Sequence, residues 1–170
     1  MKYTSAEAAK LLRKLNDEHS SLLLMEGQSR EFLAALGEDP ESVRPAYDYA
    51  ETQKKLEENE EKIRRVKHAV NVFNSTHVIA EFNMTIDEML VYLPQLTQRA
   101  MKLNEMKSRL PKTRERASAY NRNSSVIDYR YANYDIASAA ADYEKVTDLL
   151  AKAQTALDVI NNTETMEIDI

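Results

Sequence analysis

The chain has no cysteine and no tryptophan, and only two glycines and four prolines in 170 residues. Without cysteine there is no disulfide framework and no thiolate metal site. That fits a reducing cytoplasm. Two glycines cannot build the glycine-rich phosphate loop or the nucleophile elbow that many enzymes use. So few turn residues leave little room for many short strands. With 43% hydrophobic and 30% charged residues, the composition favours long helices instead. Long apolar runs are missing too. Wholly apolar stretches such as Leu22 to Met25 are far short of a membrane span. Met1 to Thr4 carries no apolar core of a signal peptide. Nor is there an excess of positive charge. The net charge is -5, which excludes a general polyanion binder.

What is present is helical periodicity. Thr4 to Glu7 has capping-box spacing and opens a first helix. Ala8, Leu11, Leu15, Glu18, Leu22, Met25, Ser29, Phe32 and Leu36 follow at intervals of three and four, a heptad seam with two polar interruptions. Gly37 is placed for a left-handed stop, Glu38 to Glu41 for the turn, and Pro45 for the first turn of a second helix. Tyr49, Thr52, Leu56, Asn59, Ile63, Val66, Val70, Phe73 and His77 repeat the spacing. Two such seams of similar length, each about 30 residues or roughly 45 Å, are expected to fold back as an antiparallel hairpin. Ser29 and Asn59 are expected in neighbouring layers, where polar residues fix register.

The period changes after Thr76. Val78 to Phe82 reads as a short strand. Thr85 to Glu88 is a second capping box, and Ile86, Leu90, Leu93, Leu96, Ala100, Leu103, Met106 and Leu110 form the stripe of a third helix. Pro94 should kink or break it, and Pro111 should end it. Lys112 to Ser125 reads as an exposed loop, and Val126 to Tyr131 as a strand paired with Val78 to Phe82. Asn133 or Asp135 caps a fourth helix with the seam Ile136, Ala139, Tyr143, Val146, Leu150, Ala153, Leu157 and Ile160. Thr165 to Ile170 alternates as an edge strand does, or frays. The expected fold is mainly α. It is a single domain, 1–170, with a helical hairpin over 1–77 and a second helical pair with short strands and a basic loop over 78–170, forming a coiled-coil-like bundle.

No pattern of chemistry emerges. His19, His68 and His77 belong to no metal-binding motif, and the expectation is no metal and no cofactor. Glu57, Glu58, Glu60 and Glu61 resemble one half of a helical pyrophosphatase magnesium site, but no Glu-x-x-Asp partner follows. Arg64, Arg65 and His68 stand too close together to match the Arg–His pairs of helical ribonucleases. Both groups read as solvated helix faces.

Charge distribution says more. Arg99, Lys102, Lys107, Arg109, Lys112, Arg114, Arg116, Arg122 and Arg130 gather in one region, interleaved with Tyr120, Tyr129, Tyr131 and Tyr134. Arg109, Lys112, Arg114, Arg116, Arg122, Tyr129, Arg130 and Tyr131 are the candidates for binding an anion or a partner. Cations among aromatics suit single-stranded nucleic acid. Acidic segments at Glu38 to Glu61 and Asp135 to Asp169 are the competing partners, and pairing with them, within the fold or between subunits, is the preferred expectation.

The order of features resembles the septicolysin-like family of bacterial helical proteins. The opening Met1-Lys2-Tyr3 with Glu7-Ala8 and Leu11-Leu12 is similar to that family's first helix. Ala69 to Thr76, Met84 to Leu90, and Ala153 to Thr163 resemble its later segments. The chain departs from it at Asn83, where the family has a glycine-rich turn, and near Asn162, where it has a tryptophan. The resemblance implies an assembly of helical hairpins, and the family's name implies pore formation. It implies no catalytic residues. Three functions are therefore in view. The first is a non-enzymatic assembly or interaction protein, acting in the cytoplasm as a homo-oligomer. The second is binding of RNA or single-stranded DNA through residues 107–134. The third is a membrane-active toxin.

Overall fold

The computed structural model describes residues 1–115 and 127–170. These form five helices and three small antiparallel strand pairs, grouped in two compact units. The first unit is Met1–His77 with Asp158–Ile170, and the second is Val78–Leu157.

In the first unit, β1 (Lys2–Thr4) leads into α1 (Ser5–Ser29). Thr4 closes the capping box: its N–H donates to Glu7 Oε2 at 2.9 Å, and Glu7 N donates to Thr4 Oγ1 at 3.2 Å. A short α2 (Pro40–Val43) and then α3 (Tyr49–Thr76) follow. The helices α1 and α3 pack side by side. Asn59 Nδ2 donates to Glu18 Oε2 at 3.4 Å and Gln53 Nε2 to Glu26 Oε1 at 2.7 Å, so the two run antiparallel. β6 (Thr165–Glu167) pairs antiparallel with β1, Tyr3 opposite Met166. Alternation along β6 turns Met166 and Ile168 inward, where they join Ala8, Leu15 and Val66 in one core.

Three expectations change here. The first helix ends at Ser29, not at Leu36, and Leu33 and Leu36 are fully exposed in the connection. The reason is register. Ser29 lies level with the first turn of α3, so seam positions beyond it have no helix to pack on. Pro45 is not in the first turn of the second helix. It follows Arg44, which is extended, as a residue before proline prefers, and α3 starts later with Asp48 accepting from Glu51 N at 3.0 Å. The polar layer at Asn59 is shared with Glu18, not Ser29. Gly37 does take the left-handed conformation, φ 88°, but inside the connection.

The second unit opens with a tight hairpin, β2 (Val78–Ile79) against β3 (Met84–Thr85), with Asn83 at φ 50° in the turn. Asparagine tolerates that conformation better than most residues, which lets the chain reverse locally. α4 (Ile86–Lys107) starts at the capping box of Thr85 and Glu88 and runs unbroken across Pro94. After it come β4 (Lys112–Arg114), β5 (Tyr129–Tyr131) and α5 (Ile136–Thr163), whose last turns belong to the first unit. Asp135 caps α5, accepting from Ala137 N at 3.0 Å. Its carboxyl is held below the usual range, chiefly because Ser138 Oγ donates to it. Ile79, Ile86 and Met89 are fully buried, and the stripes Leu96, Ala100, Leu103 of α4 and Ala139, Val146, Ala153 of α5 are buried too.

The expected pairing of Val78–Phe82 with Val126–Tyr131 is overturned. β2 pairs with β3, and β5 with β4. Each of these two strands pairs with its near neighbour in sequence, which needs less loop closure. Lys112 to Arg114 is therefore strand rather than loop. Glu115 follows β4, and the rest of the expected loop, 116–125, with Val126, lies outside the described residues.

Candidate functional site

The candidates converge on the β4–β5 ribbon. Its register sets Lys112 opposite Tyr131, Thr113 opposite Arg130, and Arg114 opposite Tyr129. Facing residues in an antiparallel pair share one side. One face of the ribbon therefore carries Lys112, Arg114, Tyr129 and Tyr131. The other carries Thr113 and Arg130, extended by Glu115 and Asp128, whose backbones are joined by Glu115 N donating to Asp128 O at 2.9 Å.

The two faces differ in electrostatics. Arg130 Nε donates to Glu115 Oε2 at 2.8 Å. That bond raises the arginine's affinity for its proton and holds the Glu115 carboxyl below its usual range. This face balances its own cation. On the other, the Lys112 ammonium sits 4.0 Å from the Tyr129 ring centre and 5.4 Å from that of Tyr131. Both tyrosines stay open to solvent, 45% and 62% exposed. Arg109, at the end of α4, pairs with Glu105 one turn back. Lys107 lies 3.5 Å over the Tyr143 ring of α5, and Tyr134 OH donates to Met106 O at 2.8 Å, a second hydrogen bond to a carbonyl that already accepts from Arg109 N at 3.2 Å. A concavity of about 600 Å³ adjoins the ribbon, lined by Arg109, Thr113, Arg114, Arg130, Tyr131 and Tyr134 among others.

The structure thus brings together Arg109, Lys112, Arg114, Tyr129, Arg130 and Tyr131. Arg116 and Arg122, with Tyr120, lie outside the described residues. Within one chain the observed acidic partners are local. Glu105 and Glu115, within the same stretch of chain, pair with Arg109 and Arg130.

A second surface was not singled out from the sequence. Along the α1–α3 pair runs a groove of about 780 Å³, reaching from Lys10 to Met25 on α1 and from Lys55 to Lys62 on α3. Leu22 and Met25 supply apolar lining. Lys10, Arg13, Lys14, Lys55 and Lys62 alternate with Asp17, Glu18 and Glu58 around it. Asn59 lines it while only 6% exposed, and its Oδ1 has no hydrogen-bond partner. The run Leu22–Met25 was the available signal, since four successive apolar residues circle a helix and cannot all face one partner.

The histidines and the acidic run on α3 have local surroundings. His19 Nε2 lies 3.1 Å from Glu60 Oε1, His77 stacks on Phe73 at 4.8 Å, and His68 is exposed. Glu61 pairs with Arg65 at 2.6 Å and Glu58 with Lys54 at 3.9 Å, so the acidic run on α3 does not converge. Among the described residues no group of three or more His, Asp or Glu is placed to hold a metal. Among them, too, no helix is long and apolar enough to cross a membrane.

No family model matches the chain, and no curated protein does. A solved structure, the crystal structure of a functionally unknown conserved protein from Corynebacterium diphtheriae, is similar over 98% of this chain and 100% of that one, with a TM-score of 0.58 and 17% identity, a likeness of fold alone.

Proposed function

We propose that the protein is a non-enzymatic helical assembly protein, working in the cytoplasm as a homo-oligomer of coiled-coil-like hairpins. One observation carries this reading. Around the distal part of α1, Leu23, Leu24 and Met25 are 48%, 64% and 50% exposed, beside the groove that α1 and α3 line. Two helices bury one stripe each, and apolar surface on the remaining sides is left for another helix.

The rim favours a second copy over a ligand of one charge. Along α1 the basic Lys10, Arg13 and Lys14 are followed by the acidic Asp17 and Glu18. A second α1 passing antiparallel sets each group against its opposite, as an interface related by a two-fold axis requires. The resemblance to septicolysin-like proteins fits an assembly of hairpins. The pore-forming sense of that name has weaker support, since the helices keep charged faces.

Sedimentation equilibrium tests the proposal. The wild-type protein is expected as a dimer or larger at protein concentrations on the order of tens of micromolar, and Leu24→Glu is expected to shift it towards monomer with its helix content unchanged. A wild-type monomer throughout that range overturns it.

A further inference from the structure

We infer that the Lys112–Arg114–Tyr129–Tyr131 face of the β-ribbon is a binding site for single-stranded nucleic acid, held mainly by base stacking. It is a function separate from assembly through α1 and α3.

Four features of this face point the same way. First, Tyr129 and Tyr131 are alternate residues of one strand, so their side chains leave the same side of the ribbon from backbone positions about 6.7 Å apart. That is roughly twice the rise of about 3.4 Å per base in a stacked strand. Two bases lying on neighbouring tyrosines must therefore be pulled apart. A single strand permits this, and a paired duplex does not.

Second, both rings are available. Tyr129 is 45% exposed and Tyr131 62%, so each presents part of its ring to solvent. Third, the cations stand where a backbone would run. Lys112 and Arg114 lie directly across from Tyr131 and Tyr129, so each ring has a positive group beside it to meet a phosphate. Fourth, the acids are elsewhere. Glu115 and Asp128 fall on the opposite face by register, and Glu115 is bound to Arg130. Among the described residues the polyanion thus meets two cations and no carboxylate on this face, although the chain as a whole is acidic.

The same geometry sets the character of the binding. Arg109 and Arg130 already hold carboxylates. The two cations of this face, Lys112 and Arg114, are expected to contribute a fall in log K of about 1.4 per decade of salt, at roughly 0.7 for each phosphate of a single strand. Stacking on each tyrosine is worth about tenfold or more in affinity.

Fluorescence anisotropy with short labelled oligo(dT) and oligo(U), and with a duplex of mixed sequence, tests this on the full chain at about 50 mM salt, where phosphate contacts are least screened. Single strands are expected to bind about tenfold more tightly than duplex. The Tyr129→Val plus Tyr131→Val protein is expected to lose at least about tenfold, while Tyr129→Phe plus Tyr131→Phe keeps binding near wild type. Phenylalanine retains the stacking ring, and valine retains only the strand preference. Thr113→Val, on the opposite face, should bind as wild type does, and circular dichroism of each variant checks that the ribbon change has not unfolded the chain. The inference is overturned by no binding of single strands, by equal binding of duplex, or by the phenylalanine protein failing as the valine protein does. It is also overturned if the tyrosine variants alter sedimentation while oligonucleotides never bind, which would give this face to a second copy. Because Leu24→Glu leaves the ribbon intact, that variant should still bind single strands. Failure of assembly and failure of this site are therefore read separately.

Discussion

At the scale of single residues, capping is the clearest link between sequence and structure. Thr85 and Glu88 each satisfy an N–H that the first turn of α4 leaves open: Thr85 N donates to Glu88 Oε2 at 2.7 Å and Glu88 N to Thr85 Oγ1 at 3.2 Å. The hydrogen bonds from Thr85, backbone first and then hydroxyl, hold the Glu88 carboxyl below its ordinary value. A carboxyl depressed in the folded state stabilises fully above its unfolded pKa, and that contribution is lost as pH falls through the folded value. Glu88→Gln keeps a neutral acceptor in the box and removes the titration. The urea midpoint of the wild type relative to Glu88→Gln is therefore expected to be highest near neutrality. It should decline as pH falls from the ordinary carboxylate range into more acid solution. A gap that stays constant, or widens in acid, would show that the charged box contributes nothing.

At the scale of elements, the helices were legible and their partners were not. A period of three and four is a property of one segment, and Ala8, Leu15, Leu56, Val66, Ala139, Val146 and Ala153 lie on the seams it marks. Where a helix stops depends on what faces it, so Leu36 belonged to the pattern and not to the helix. The strands are two or three residues long. So short a run carries little pattern, and its pairing is decided by a turn such as that at Asn83. The Glu18–Asn59 layer needed the register between α1 and α3, which neither seam contains alone. That layer is costly as it stands. Asn59 is buried with Oδ1 unpartnered, and a buried unmade hydrogen bond costs about 1–3 kcal/mol. Asn59→Leu is close in size and leaves Glu18 half exposed to water. It is expected to raise the urea midpoint while loosening the choice of register. A midpoint lower than wild type would mean that the asparagine is satisfied in solution.

At the scale of the whole molecule, the chain's two ends meet in one strand pair. Ile168 N donates to Met1 O and Met1 N to Ile168 O, both at 2.9 Å, extending the β1–β6 ladder by a residue. The alternation of Thr165 to Ile170 was readable as an edge strand, but its partner lies at the far end of the sequence, and no local signal names it. The consequence for stability is specific. Met166 and Ile168 are 6% and 1% exposed, and they cover Ala8, Leu15 and Val66 in the first unit's core. The second unit buries Ile79, Ile86 and Met89 without them. Ending the chain after Thr163 should therefore expose one core and leave the other closed. Hydrogen exchange followed by mass spectrometry is expected to show faster exchange in the first half of α1 and the second half of α3, with protection in α4 retained. Even loss of protection through both units would mean that they unfold together. α5, which passes from one unit into the other, would then couple them more strongly than their separate cores suggest.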